Sequence, residues 1–214
     1  MTVSTTLVAT HSVIRLLKKN LIITECELDF VLLVEGSRDK RKQADAIERM
    51  RFWLDNVFEG CIVLPVTEGF DIEWLSGIEN PVMFAPGDPN DFTMQALLHA
   101  KLTAIGDGDV SVASSHMRTN HSRGFGIAFD GDPDDLLPSQ RDWMGERTYF
   151  EKPWWHRSDA SMMDVMAGPE DDILQRPDII IDWLELMNQE HAIDETKSAE
   201  IIRPSFRPRL VTDD

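Results

Sequence analysis

Between Arg41 and Phe58 the apolar residues Ala46, Ile47, Met50, Leu54, Val57 and Phe58 recur at helical spacing, with Lys, Arg, Asp and Glu on the other side. That period predicts an amphipathic helix with one face on a core. Upstream, the pattern over Ser12–Asn20 predicts a short amphipathic helix around Val13 to Lys19. It is followed by extended apolar chain from Leu21 to Val34 with an interruption near Cys26 to Asp29. Past Gly60, "CIVLPV" and the proline-bounded "PVMFAP" have the texture of short buried strands. Asp91 is placed to cap a helix from Phe92 to about Ile105, which "GDGD" ends. Two further strand patterns, "DVSVASSHMRT" and "GFGIAF", are joined by the polar "NHSR" and predict a hairpin.

Strands that alternate with helices predict an α/β or α+β fold. The expected core is a single layered domain over residues 1–135, with helices packed on a central mixed sheet. With 214 residues, 42% of them hydrophobic, the chain can bury one sizeable core. Residues 136–214 have a different texture. Up to about residue 178 they mix Pro, Trp, Asp and Met without period, which predicts an irregular segment packed on the core. A helix over about 178–190 follows, opened by Pro177 and carrying Ile180, Ile181, Leu184 and Met187 on one face. The final "IIRPSFRPRLVTDD" has two X-Pro bonds and predicts an extended tail.

Charge narrows the possible partners. Lys and Arg total 21 against 38 Asp and Glu, a formal charge of -17, which disfavours gripping nucleic-acid phosphates over the whole surface; a local basic patch or bound cations would be needed. Cys26 and Cys61 form no C-x-x-C pair and no disulfide framework, which favours a reducing compartment such as the cytoplasm. No window approaches the roughly 18 apolar residues of a membrane span. The first 24 residues hold Arg15, Lys18 and Lys19 but no acid, a composition shared by organellar transit peptides and by ordinary amphipathic helices.

Two stretches carry candidate chemistry. "FVLLVEGSRDK" ends an apolar run on Glu35 and Gly36, with Asp39 four residues after the glutamate; "GFGIAFDGDPDD" ends another on Asp130, Asp132 and Asp134. Carboxylates emerging at the carboxyl ends of parallel strands face the crevice where open sheets place ligands. Hard ions such as Mg²⁺ or Mn²⁺ take oxygen ligands of this kind. Glu35, Asp130 and Asp132, with Asp134 beside them, are therefore the expected metal-binding and catalytic group, and the strands ending at Glu35 and Phe129 are expected to be neighbours. Arg38, Lys40, Arg41 and Lys42 lie beside Glu35, where they could meet incoming phosphates.

These patches resemble the two motifs of the Toprim domain of bacterial primases and topoisomerases: a strand ending in Val-Glu-Gly with an Asp four residues after the Glu, and a strand ending in Asp-x-Asp. The resemblance implies acid–base or metal-binding work for Glu35 and Mg²⁺ binding for Asp130 and Asp132. It covers roughly twenty residues. The 95 positions from Glu35 to Asp130 exceed the compact family arrangement, and Asp134-Asp135 stands where the family usually has Gly.

Other candidates have less pattern behind them. His116, His121 and His156 could ligate a transition metal but lack any tight spacing such as H-E-x-x-H. Ser114 and Ser115 have no G-x-S-x-G context. Trp154-Trp155 could stack bases, though burial against the core is the plainer expectation. Two readings follow. One is a Mg²⁺-dependent, Toprim-like phosphodiester-processing enzyme acting on nucleic acid. The other is a non-catalytic acidic protein, an assembly component or inhibitor, whose C-terminal segment contacts a protein partner.

Overall fold

The computed structural model describes residues 1–66, 80–138, 152–158 and 160–162. The expected helix over 178–190 and the tail lie outside them. Within them stands one mixed six-stranded sheet with two helices packed against it, as the alternation of patterns predicts.

The chain opens on β1 (Thr2–Leu17), not on a helix. Its β-branched residues suit a pleated surface better than a helix, and the true period is two. Leu7, His11, Val13 and Arg15 point into the core, while the even-numbered residues from Thr2 to Ser12 are exposed. Lys18 and Lys19, at φ 46° and 70°, form the two-residue turn into β2 (Asn20–Glu35). A type I′ hairpin requires positive φ at both turn positions, the conformation Asn-Gly adopts most easily. Two lysines there are an unusual solution, and nothing in the sequence advertises it.

β2 runs without the expected interruption. Thr24, Cys26, Leu28, Phe30 and Leu32 are buried, and Glu25, Glu27 and Asp29 occupy the alternate, solvent-facing positions. The acids that suggested a break are the wet side of a regular strand. α1 (Lys40–Trp53) follows, extended by a π-helical stretch at Leu54–Phe58, so the strongest sequence period is a helix in the structure. β3 (Ile62–Pro65) and β4 (Val82–Ala85) are buried throughout. α2 (Asp91–Gly106) leads to β5 (Val110–Thr119) and β6 (Gly126–Phe129). Asn90, rather than Asp91, caps α2, its side chain accepting from the N–H groups of Phe92 and Thr93.

The strand order is β4-β3-β1-β2-β5-β6. β3 runs parallel to β1 and β4, and every other pair is antiparallel. On β1, β2 and β5 one face is buried and the other exposed. Trp53 stacks on Phe58 and on Trp154, at ring separations of 5.7 and 6.3 Å, and Trp155 meets Trp154 edge-on. Both tryptophans of the Trp-Trp pair are buried, which removes them as an exposed base-stacking platform.

α2 is buried nearly all round, yet it carries Gln95, His99 and Lys101. The fully buried Lys101 ammonium donates to the carbonyls of Trp154, Arg157 and Ser161 at 3.0, 3.0 and 3.2 Å. The Trp154 indole donates to the Phe84 carbonyl at 2.7 Å. These bonds pin Trp154, Arg157 and Ser161 to α2 and β4, supplying the partners that buried donors and acceptors require.

Candidate functional site

Glu35 ends β2, a strand antiparallel to both of its neighbours, so it does not lie at the carboxyl end of a parallel strand. Its exposed carboxylate pairs with Arg38 Nε at 3.2 Å. Gln43 donates to its carbonyl at 2.8 Å. Gly36 has a local reason: its N–H donates to the Met1 carbonyl at 2.9 Å, and a Cβ there would lie 3.0 Å from that oxygen. Asp39, the acid four residues after Glu35, is the N-cap of α1, accepting from the Arg41 N–H at 2.8 Å. The local features of the first motif thus build a strand-to-helix corner.

Of the basic residues beside it, Arg38 also donates to the Gly108 carbonyl, which ties this corner to the turn between α2 and β5. Lys40, Arg41 and Lys42 are exposed on a first helical turn that contains no acid. Cations there oppose the helix dipole. They lie five to seven residues past Glu35, in the first turn of α1.

The second motif lies elsewhere. β6 ends at Phe129 opposite Ser115 of β5, and Ser115 is opposite Phe30 of β2, five residues short of Glu35. β5 separates the two strands, so the expected adjacency of β2 and β6 is not present. At roughly 3.3 Å per residue along and 4.8 Å across two strand spacings, the strand ends are on the order of 20 Å apart. Asp132 caps the 3₁₀ turn Pro133–Asp135, accepting from the Asp134 N–H at 3.0 Å. Asp134 lies 3.2 Å from His156 Nε2. Asp130 and Asp132 act electrostatically on His99 of α2. Among the described residues no group of three or more His, Cys, Asp or Glu side chains is arranged to hold a metal ion, and Glu35 does not join Asp130, Asp132 or Asp134 in one.

The histidines disperse in the same way. His116 lies over Gly126, where a Cβ would come within 2.0 Å of its ring. His121 hydrogen-bonds the Ile23 carbonyl at 2.9 Å, and His156 meets Asp134. Cys26 and Cys61 are buried free thiols: burial pushes Cys26 up to about 12 and Cys61 well above the ordinary thiol value, which leaves both protonated and unreactive.

The polar residues that do converge are ones sequence patterns pass over. Gln95 donates to the Ser115 hydroxyl at 2.6 Å, and His99 Nδ1 lies 2.9 Å from the same oxygen. All three are buried. Arg15, 1% exposed, donates to Asp91 at 2.6 Å, to the Pro89 carbonyl at 3.1 Å and to Thr24 at 2.9 Å, and Asp91 also accepts from Thr119. The available signal was a polar residue inside an otherwise apolar helix or strand. Such residues are retained when hydrogen-bonded, which says nothing about catalysis.

The sheet's outer face is the other prominent surface. Beside the β1–β2 turn, Ile14 and Leu16 oppose Ile23 and Leu21, with Ile23 70% and Leu21 56% exposed. Glu25, Glu27 and Asp29 continue along the same face of β2, and Val8, 69% exposed, lies opposite Asp29. Arg118 of β5 pairs with Glu27. Among the described residues no helix is long and apolar enough to cross a membrane. Compared with protein-family models and with curated proteins, the chain matches none.

Proposed function

We propose that this is a non-catalytic acidic interaction protein, an assembly component or inhibitor, that works by protein–protein contact through the outer face of its sheet. The observation that carries this reading is the composition of that face: exposed Leu21, Ile23 and Val8 set beside the acidic row Glu25, Glu27 and Asp29. Exposed apolar side chains rimmed by charge suit a partner that offers an apolar patch with Lys or Arg around it. The alternative, Mg²⁺-dependent phosphodiester processing, needs three carboxylates in one site. Here Glu35 pairs with Arg38, and Asp132 caps a turn some distance away.

Thermal melts and a cleavage screen test the choice. A site that binds a divalent ion only when folded gains about 2.7 kcal/mol with the ion at 100 times its Kd. Contact by the outer face predicts equal melting shifts in Mg²⁺ and in NaCl of matched ionic strength, because only the -17 charge is being screened. It also predicts no metal-dependent cleavage of single- or double-stranded DNA or RNA, and loss of partner capture in Ile23→Asp with an unchanged melt. Nucleic-acid cleavage that requires Mg²⁺ or Mn²⁺ and disappears in Glu35→Gln or Asp132→Asn would reverse the assignment.

A further inference from the structure

β1 is held on one side by β2 along its whole length, but β3 pairs with it only at Ile14 and Arg15. The direction of its backbone groups is fixed by two bonds. Gly60 N–H donates to the Ser12 carbonyl at 2.7 Å, and Ile14 N–H donates to the Cys61 carbonyl at 2.8 Å. Even-numbered residues of β1 therefore direct N–H and C=O away from β2. The unbroken register with β2 carries this alternation back to Thr2. Thr2, Ser4, Thr6, Val8 and Thr10 present a free hydrogen-bonding edge, and all five are exposed. Among the described residues nothing bonds these outward groups.

Proteins ordinarily blunt such an edge with lysine, proline, inward-pointing charge or a bulge. The stretch "TVSTTLVAT" has no charge, no proline and no bulge. We propose that it is a self-pairing seam: β1 of one copy pairs antiparallel with β1 of a second copy about a two-fold axis at Thr6. The two six-stranded sheets then become one continuous sheet. Thr6 faces its own counterpart, Ser4 faces Val8 and Thr2 faces Thr10, each pair exchanging two backbone bonds.

Charge favours a second copy as the occupant. Two chains of net charge -17 repel on average, but residues 1–24 contain no acid, so the strands that meet in the seam bring no negative charge of their own. Asp55 and Glu59 border the end of the seam, where both lie against the His11 ring and Glu59 accepts from the Ser12 N–H, and the acidic rows Glu25, Glu27 and Asp29 on each β2 would be separated by three strand spacings, about 14 Å. That exceeds the roughly 8 Å screening length at physiological salt. The seam uses the backbone edge of β1 and, apart from Val8, leaves the outer-face residues Leu21, Ile23, Glu25, Glu27 and Asp29 free, so it stands whether or not that face binds a partner.

Sedimentation or light scattering on the full chain reads the mass directly. Wild type is expected at twice the chain mass. Thr6→Pro, whose lost N–H makes no bond within the subunit, and Val8→Lys, whose side chain is exposed, are each expected at half the wild-type mass with an unchanged circular-dichroism spectrum. Because the native thiols are buried, Thr6→Cys adds an accessible one on the axis. Oxidation is expected to link two copies through it, while Glu27→Cys, one strand in, stays unlinked. A monomeric wild type, a dimer that survives both Thr6→Pro and Val8→Lys, or equal cross-linking at positions 6 and 27 would each overturn the seam.

Discussion

Two sets of ionisable residues in this molecule have opposite surroundings. Glu35, Asp130, Asp132 and Asp134 are exposed, and their contacts lie at the surface: an ion pair with Arg38, a turn cap, and His156 beside Asp134. Lys101, Arg15 and His99 are buried, and each joins parts of the chain distant in sequence. A charge in water can change partners at little cost, whereas a buried one must be answered completely. The residues whose spacing attracts chemical interpretation are therefore the dispensable set for folding, and the inconspicuous ones fasten the fold.

The largest expected effect comes from Lys101→Ala. It empties a buried site and strips three carbonyls of their shared donor, so destabilisation of about 3–5 kcal/mol is expected by denaturant titration. Loss below 1 kcal/mol would show that anchoring Trp154, Arg157 and Ser161 contributes little. Asp91→Ala comes next, at about 3 kcal/mol, because it leaves the Arg15 guanidinium buried with only neutral partners. The double variant Arg15→Met with Asp91→Ala should recover part of that loss, since the uncompensated charge is gone.

His99 sharpens the contrast through pH. Burial lowers its pKa from the ordinary 6.5, while Asp130 and Asp132 pull upward. Its other neighbours are neutral: the Ser115 hydroxyl and the Phe129 ring. Folding therefore favours the neutral imidazole, and below about pH 6.5 the unfolded chain takes up the proton first. Its contribution to stability is complete above that pH and falls as the pH drops below it. Melting followed between pH 5 and 7 should be flatter in His99→Gln than in wild type. The smallest effects belong to the motif residues. Glu35→Gln and Asp132→Asn should each change stability by less than about 1 kcal/mol, the scale of exposed ion pairs and short caps. A larger loss in either would break the comparison.

Much of the architecture was legible because burial follows period. The α1 helix, the short strands β3 and β4, the α2 helix and the β5–β6 hairpin all stand close to where their patterns place them. The first hairpin was not. In β1, Val13, Leu16 and Leu17 also satisfy a helical spacing, and the Lys18-Lys19 turn has none of the glycine or asparagine that signals positive φ. In β2 the acids alternating with Cys26 and Leu28 have the composition of a break, and only the period-two burial of the strand marks them as its solvent side. The candidate site failed to assemble for a topological reason. Local order along a chain does not say which strand lies between two others, and β5 enters the sheet between β2 and β6. The buried network around Ser115 depends wholly on such long-range placement.

The β1–β2 hairpin also bears on how the molecule comes to be folded. Its register begins at Leu17↔Asn20 and runs out to Thr2↔Glu35, so each new rung needs only two more residues brought together beside the last. Closing such a ladder never spans a large loop, unlike the pairing of β1 with β3 or β2 with β5. The ladder can zip outward once the turn exists, and the turn is its slow step because both lysines must enter the left-handed region. A Lys18→Asn, Lys19→Gly variant should fold faster while unfolding at nearly the wild-type rate in stopped-flow measurements. An unchanged folding rate would place the nucleus elsewhere in the sheet.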